Sequence, residues 1–465
     1  MVKQEAREAR DQPRAGFVVA VAQKARPERW ITFLTLLLLF GGCSAPFRNP
    51  IMGRWEGAMQ HPQGAELHTG IDFMANMNGL RAQANIPEMF MFGAELAEVR
   101  LDSPRIHFEL QDGTKRLIFD GTRSGDAISG SLRDGELQLQ LDLRRRGDIP
   151  PLPYKQEEVS IRNGAVSLAG TLLVPPTEGP HPAVVLIHDA GRQTRDKLQF
   201  FADLFVRRGI AALVYDKRDI NTHPSNQDLI DLGGPAGDVA VQVISVHDLA
   251  GDARAAVQYL KAREDMDSKR IGLWGIGQGG WVAPIVAAQS KDVAFMVVIS
   301  APGVTSTELG KYAETKRLSV DATTDNGMKV APGRSSGEAS PADQAASATL
   351  PAIGAEALNH AAWAQAHDHD PVTSWERVTV PVLAIYGSAD AVIPFEPSAK
   401  RIDEALKRNG NQDITIKLFS GANHEIRVSG DPRADSGGKW DFQRPAPGYL
   451  ETMTEWLLQK VHMKS

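Results

Sequence analysis

Several things are scarce in this sequence. It carries one cysteine in 465 residues, so no internal disulfide can staple it. Basic residues are not in surplus: 51 Lys plus Arg face 57 Asp plus Glu, a net charge of −6, which removes the electrostatic signature of a nucleic-acid binder. Long apolar runs are missing too. The stretch Ile31 to Phe40 has only ten residues, too few to cross about 30 Å of hydrocarbon as a helix. What is present is a globular composition, 42% hydrophobic and 23% charged with 42 glycines, in a chain long enough for two or three domains of roughly 150 residues.

The ten-residue stretch has a context. Lys24, Arg26 and Arg29 precede it, and Gly41, Gly42 and Cys43 follow. A basic region, a short apolar core and small residues before a boundary are the layout of a secretory signal, here residues 1–42. The Phe40-Gly-Gly-Cys43 ending resembles the bacterial lipoprotein cleavage site, although Phe40 stands where Leu is usual. That resemblance implies that Cys43 is diacylated and becomes the mature N-terminus. The expectation is an exported protein anchored to a membrane through Cys43, periplasmic or at the cell surface. A plain signal peptide with a bystander thiol is the alternative.

Residues 43–153 read as a small antiparallel β domain with a linker. Segments such as Arg105–Leu110 and Glu136–Leu143 alternate apolar and polar residues and are separated by Gly/Asp turns, which predicts strands with one buried face. Trp55 is expected in the core of this domain rather than in a ligand cavity. Arg144 to Arg146 and Pro150 to Pro153 are expected in an exposed linker. The Gly53-Arg-Trp-Glu-Gly57 and Ile128-Ser-Gly130 steps resemble the small β module found ahead of the hydrolase domain in some secreted esterases.

From Val166 the pattern changes. Leu168–Val174, Ala183–Ile187, Ala211–Tyr215, Ile271–Trp274, Phe295–Ile299 and Val382–Tyr386 are compact apolar runs, and helical patterns such as Leu249 to Glu264 lie between them. Strands buried on both faces and alternating with helices predict a mainly parallel sheet covered on two sides. In such sheets functional residues gather on loops at the carboxyl ends of the strands. Four loops carry the argument: His188 to Asp196, Asp216 to Ile220, the glycine-rich Gly275-Ile-Gly277-Gln-Gly-Gly280, and Gly387-Ser-Ala-Asp390-Ala-Val-Ile-Pro394. A final strand, Thr415 to Phe419, leads to His424.

In order and spacing these loops resemble the α/β-hydrolase superfamily over residues 154–465, and most closely its secreted acyl-esterase and serine-aminopeptidase-like members. The resemblance implies an α/β-hydrolase fold and serine hydrolysis of carboxylic esters or, second, amides, with no cofactor and no metal. It implies Asp390 as the acid and His424 as the base. It also implies an oxyanion hole built from the N–H of Gln278 and the Asp189–Ala190 loop. Position 277, where the nucleophilic serine belongs, is glycine. Without a side chain, Gly277 forms no acyl-enzyme, and an anionic Asp189 would oppose an oxyanion if it pointed inward. Asp219 departs from the usual Gly as well.

Three readings follow. One is a degenerate ester hydrolase with impaired activity, in which His424 activates water in the space left by the serine. The alternative is a non-catalytic pseudoenzyme that binds an acyl or peptide ligand. In the third, Ser300 at the end of a neighbouring strand has taken over. Residues 303–372 are expected as a cap over the acyl pocket. His360, His367 and His369 are expected to be solvated rather than metal ligands.

Overall fold

The computed structural model describes residues 51–462 apart from 61–65, 78, 113–114, 135–136, 192, 219–243, 313–314, 317–368 and 430–442. The expected signal, Cys43, Asp219, His360, His367 and most of the expected cap therefore lie outside the described residues. Among those described, no helix is long and apolar enough to cross a membrane.

The first sheet has nine antiparallel strands: β1 (Gly53–Gln60), β2 (Glu66–Asn76), β3 (Gly79–Ile86), β4 (Met91–Glu95), β5 (Ala97–Asp102), β6 (Arg105–Asp112), β7 (Lys115–Ser124), β8 (Ala127–Asp134) and β9 (Leu137–Gly147). Its order, β4-β3-β2-β1-β9-β8-β7-β6-β5, pairs the first strand with the last and curls the sheet towards a barrel. Side chains alternate across the pleat, and one face collects Trp55, Phe73, Phe108 and Phe119 in a closed core. Trp55 is fully buried and its indole N–H donates to the carbonyl of Ile51 at 2.7 Å, so it is a core residue. Arg144 to Arg146 are not in a linker. They extend β9, where Arg145 donates to the carbonyl of Met52 at 3.0 Å.

The second sheet has eight strands: β10 (Lys155–Asn163), β11 (Val166–Val174), β12 (His181–Ile187), β13 (Ala211–Tyr215), β14 (Met266–Ile276), β15 (Met296–Ile299), β16 (Val382–Gly387) and β17 (Ile414–Phe419). Their order is β10-β11-β13-β12-β14-β15-β16-β17. The strands from β13 through β17 pair in parallel, whereas β11 is antiparallel to both of its neighbours. The sheet is thus mixed but mainly parallel.

Helices α1 (Gln199–Val206), α2 (Val246–Lys261), α3 (Gly279–Gln289), α4 (Val372–Trp375), α5 (Phe395–Arg408) and α6 (Tyr449–His462) accompany it. Two apolar cores form. One holds side chains of α2, α3 and α5 with Val185, Leu213 and Leu273; the other holds α1 and α6 with Val184, Leu186 and Trp274. Alternate residues of one strand thus feed opposite cores, which is why these strands read as unbroken hydrophobic runs. Ser245 starts α2 with a reciprocal cap, its hydroxyl accepting from the Asp248 N–H while the Asp248 carboxylate accepts from the Ser245 N–H. Phe90, between β3 and β4, packs its ring 5.2 Å from Phe200 and 5.1 Å from Phe201, so the connection between β3 and β4 packs on helix α1 of the second sheet's layer.

Candidate active site

The site forms where the parallel strands end. β14 runs into α3 through Gly277, whose φ of 51° lies in the left-handed region. Close approach dictates Gly279 as well: a Cβ there would sit 2.6 Å from the carbonyl oxygen of Ile187. The result is a sharp strand-to-helix turn that turns the N–H of the buried Gln278 towards the loop after β12.

Asp390, after β16, is buried. One of its carboxylate oxygens accepts from the N–H groups of Val392 at 2.8 Å and Ile393 at 2.9 Å. The other lies 3.0 Å from Nδ1 of His424. The expected cap contributes an anchor here, because Tyr312 donates its hydroxyl to the Asp390 carbonyl at 2.9 Å. Glu308 beside it is ion-paired with Arg401 of α5.

The second ring nitrogen of His424, Nε2, lies 3.0 Å from Oδ2 of Asp189. Oδ1 of the same carboxylate accepts from the N–H of Ala190 at 2.7 Å and from the N–H of Gln278 at 2.9 Å. Gly277, Gln278, Asp189, Ala190, Asp390 and His424 therefore come together, and the contact of Asp189 with His424 is the one the sequence reading did not foresee. The Asp189 side chain points inward and occupies both of these amide donors. The space beside the Gly277 Cα is filled by the Asp189 carboxylate. A Cβ built on Gly277 would fall 2.0 Å from Asp189 Oδ1 and 2.5 Å from its Cγ.

Electrostatics follow from this packing. Burial alone would lower the pKa of His424, but Asp390 and Asp189 on its two sides outweigh burial and hold it well above its ordinary 6.5. A carboxylate beside each ring nitrogen favours the charged ring, in which both nitrogens donate. His188 is the opposite case. Burial pushes it down to about 4, so it is neutral, with Nε2 2.5 Å from the carbonyl of Tyr215.

Ser300 has φ of 48° and is fully buried. Its hydroxyl donates to the backbone carbonyl of His424 at 2.8 Å rather than to the imidazole. Among the described residues no group of three or more His, Cys, Asp and Glu side chains is arranged to hold a metal ion. His369 is buried rather than solvated, and it packs its ring 5.3 Å from Trp281. One residue escaped the sequence reading. Lys217, in the loop after β13, is buried beneath Asp189 and Gln278. Its position at the carboxyl end of a central strand was the available signal.

Residues 254–434 match the family described as BAAT / Acyl-CoA thioester hydrolase C terminal, and residues 168–317 match the Dienelactone hydrolase family. The chain belongs to the α/β-hydrolase superfamily. This α/β hydrolase is 25% identical over 295 residues to Esterase EstD of Thermotoga maritima, covering 62% of this chain and 63% of that one. It is 28% identical over 149 residues to the Quorum-quenching protein AidA of Acinetobacter baumannii, covering 32% and 44% respectively. The matched part thus spans less than two thirds of either relative. A solved esterase of Pyrococcus furiosus superposes with a TM-score of 0.42 at 16% identity, covering 68% of this chain and 95% of that one.

Proposed function

We propose that this chain derives from carboxylic-ester hydrolases of the secreted acyl-esterase type and that serine-type turnover in it is impaired. The observation that supports this reading is the Asp189 carboxylate, which stands where the nucleophile and the substrate's oxyanion would both have to be. A substrate carbonyl reaches the two amides only by expelling that carboxylate. Hydrogen bonds to charged groups are worth about 1.5–3 kcal/mol each, so displacement from two donors costs roughly a hundredfold or more in occupancy. The imidazolium state of His424 adds to this, since a protonated ring has no lone pair with which to activate water.

The test is hydrolysis of short-chain nitrophenyl esters by the native chain and by His424→Ala. Equal rates are expected, and a rate that collapses with His424 removed overturns the reading. The alternative, a pseudoenzyme that binds an acyl or peptide ligand, draws support from the same donors, because two amides and an imidazolium already hold a carboxylate. It requires a carboxylate-bearing acyl or peptide ligand to compete with Asp189, so binding should tighten in Asp189→Gly. Export and anchoring through Cys43 belong to the same proposal. Incorporation of labelled palmitate that disappears in Cys43→Ser is the expected result, and cytosolic, unlabelled native protein refutes it.

A further inference from the structure

Lys217 stands behind the amide pair, and the hydrolase reading assigns it no task. Its ammonium donates to the carbonyl of Asp189 at 2.8 Å, to the carbonyl of Gly191 at 3.0 Å and to the side-chain oxygen of Gln278 at 2.5 Å. An ammonium has three donors, and these three acceptors use all of them. The choice of acceptors matters because of peptide geometry. The carbonyl of Asp189 and the N–H of Ala190 belong to one planar trans peptide, in which C=O and N–H point in opposite directions. Holding the oxygen from behind therefore aims the N–H forward, onto Asp189 Oδ1. The same cation holds the side chain of Gln278, whose backbone N–H is the second donor to that oxygen.

We propose that Lys217 is the positioning residue of this anion receptor: one buried cation that orients the Asp189–Ala190 peptide and Gln278 together and presets both N–H groups for a single anionic oxygen. A hydrogen bond from a charged donor to the peptide oxygen also polarises the peptide, so the N–H on its far side is the stronger donor. The role concerns the amide pair itself and is independent of whether the site turns over any ester.

The sequence supplies a convenient probe, because Gly277–Gln278 is its one Gly-Gln step. Full-length protein labelled with carbonyl-¹³C glycine and ¹⁵N glutamine therefore reports the Gln278 amide by itself. In Lys217→Met, exchange of that amide with solvent is expected to accelerate roughly tenfold or more. A second variant, Lys217→Cys, is alkylated in urea and refolded, either with 2-bromoethylamine, which restores an ammonium on a thioether of near-lysine length, or with 1-bromopropane, which restores the length without the charge. Native protein treated identically controls for Cys43. The aminoethylated chain is expected to regain protection and the propylated chain to remain fast. Native protection in Lys217→Met, or equal protection in the two alkylated chains, overturns the proposal and leaves Lys217 as packing. If Lys217→Met fails to fold, the alkylated pair carries the same comparison.

Discussion

Asp189 and His424 are 235 positions apart, and Oδ2 of the first lies 3.0 Å from Nε2 of the second. Together with the bond between His424 and Asp390, this places the imidazole between two carboxylates, one on the loop after β12 and one on the loop after β16. The site is thereby complete without a substrate.

Restoring the serine alone should fail. A Cβ at position 277 meets Asp189 Oδ1 at 2.0 Å, inside any real contact distance, so in Gly277→Ser either the carboxylate or the elbow must shift. Fluorophosphonate labelling should be weak or absent in Gly277→Ser and in Asp189→Gly. It should appear in the double variant Asp189→Gly/Gly277→Ser, where the hydroxyl, His424 and both amides are free to act together. Labelling of Gly277→Ser as fast as the double variant would show that Asp189 does not obstruct the site.

The charge on His424 should depend on Asp189. Removing one flanking carboxylate in Asp189→Asn lowers the imidazole pKa relative to the native chain, readable by NMR of the ring. The sign for stability follows from linkage. A folded-state pKa raised above the unfolded value gives stability that is fully present below about pH 6.5 and is lost as pH rises through the raised folded value. Urea midpoints measured upward from pH 6 should fall more steeply in the native chain than in His424→Gln. Parallel profiles would remove the imidazolium from the account.

How much of this was legible beforehand differs by element. The buried strands announced themselves because two-sided burial leaves unbroken apolar runs, as in Ala183–Ile187, whereas Asp390 and His424 were picked out only by the resemblance of their loops to a known superfamily. Strand β10 was missed because it is an edge strand with mostly exposed side chains, so its sequence lacks that signature. Arg144 to Arg146 were misread because charge suggested a linker, whereas a strand with a solvated face accommodates arginines. The direction of Asp189 was beyond reach. It is set by amide donors and an imidazole brought from distant parts of the chain, and no local pattern encodes that meeting. Lys217 was hidden for the same reason, since an Asp-Lys-Arg step looks like an exposed turn until the acceptors around it are known.

Phe90 should matter more than its loop position suggests. Its ring contacts Phe200 and Phe201 of α1 and lies 6.2 Å from Tyr449 of α6, with the Arg427 guanidinium 5.5 Å from its centre. Truncating a packed aromatic costs about 3–5 kcal/mol in a closed core, and less for a ring that is only partly buried. Phe90→Ala is expected to lose about 2 kcal/mol in urea unfolding while leaving the His424 ring resonance unchanged. A disturbed ring resonance would mean that the first sheet reaches the site.

The buried ammonium of Lys217 makes a prediction of opposite sign to that of His424. Burial pushes its pKa from the ordinary 10.5 down to about 8, against the pull of Asp189. The unfolded chain keeps this proton up to about pH 10.5 and the folded chain releases it near 8, so between those values the unfolded state binds more protons and stability rises with pH. The full window corresponds to ~3 kcal/mol. Chemical unfolding of the native chain, referenced to Lys217→Met at each pH, should show this rise from pH 8 towards 10. A flat difference would mean that the folded and unfolded chains release the proton together, and the lysine would then not be held as a desolvated cation beneath the amide pair.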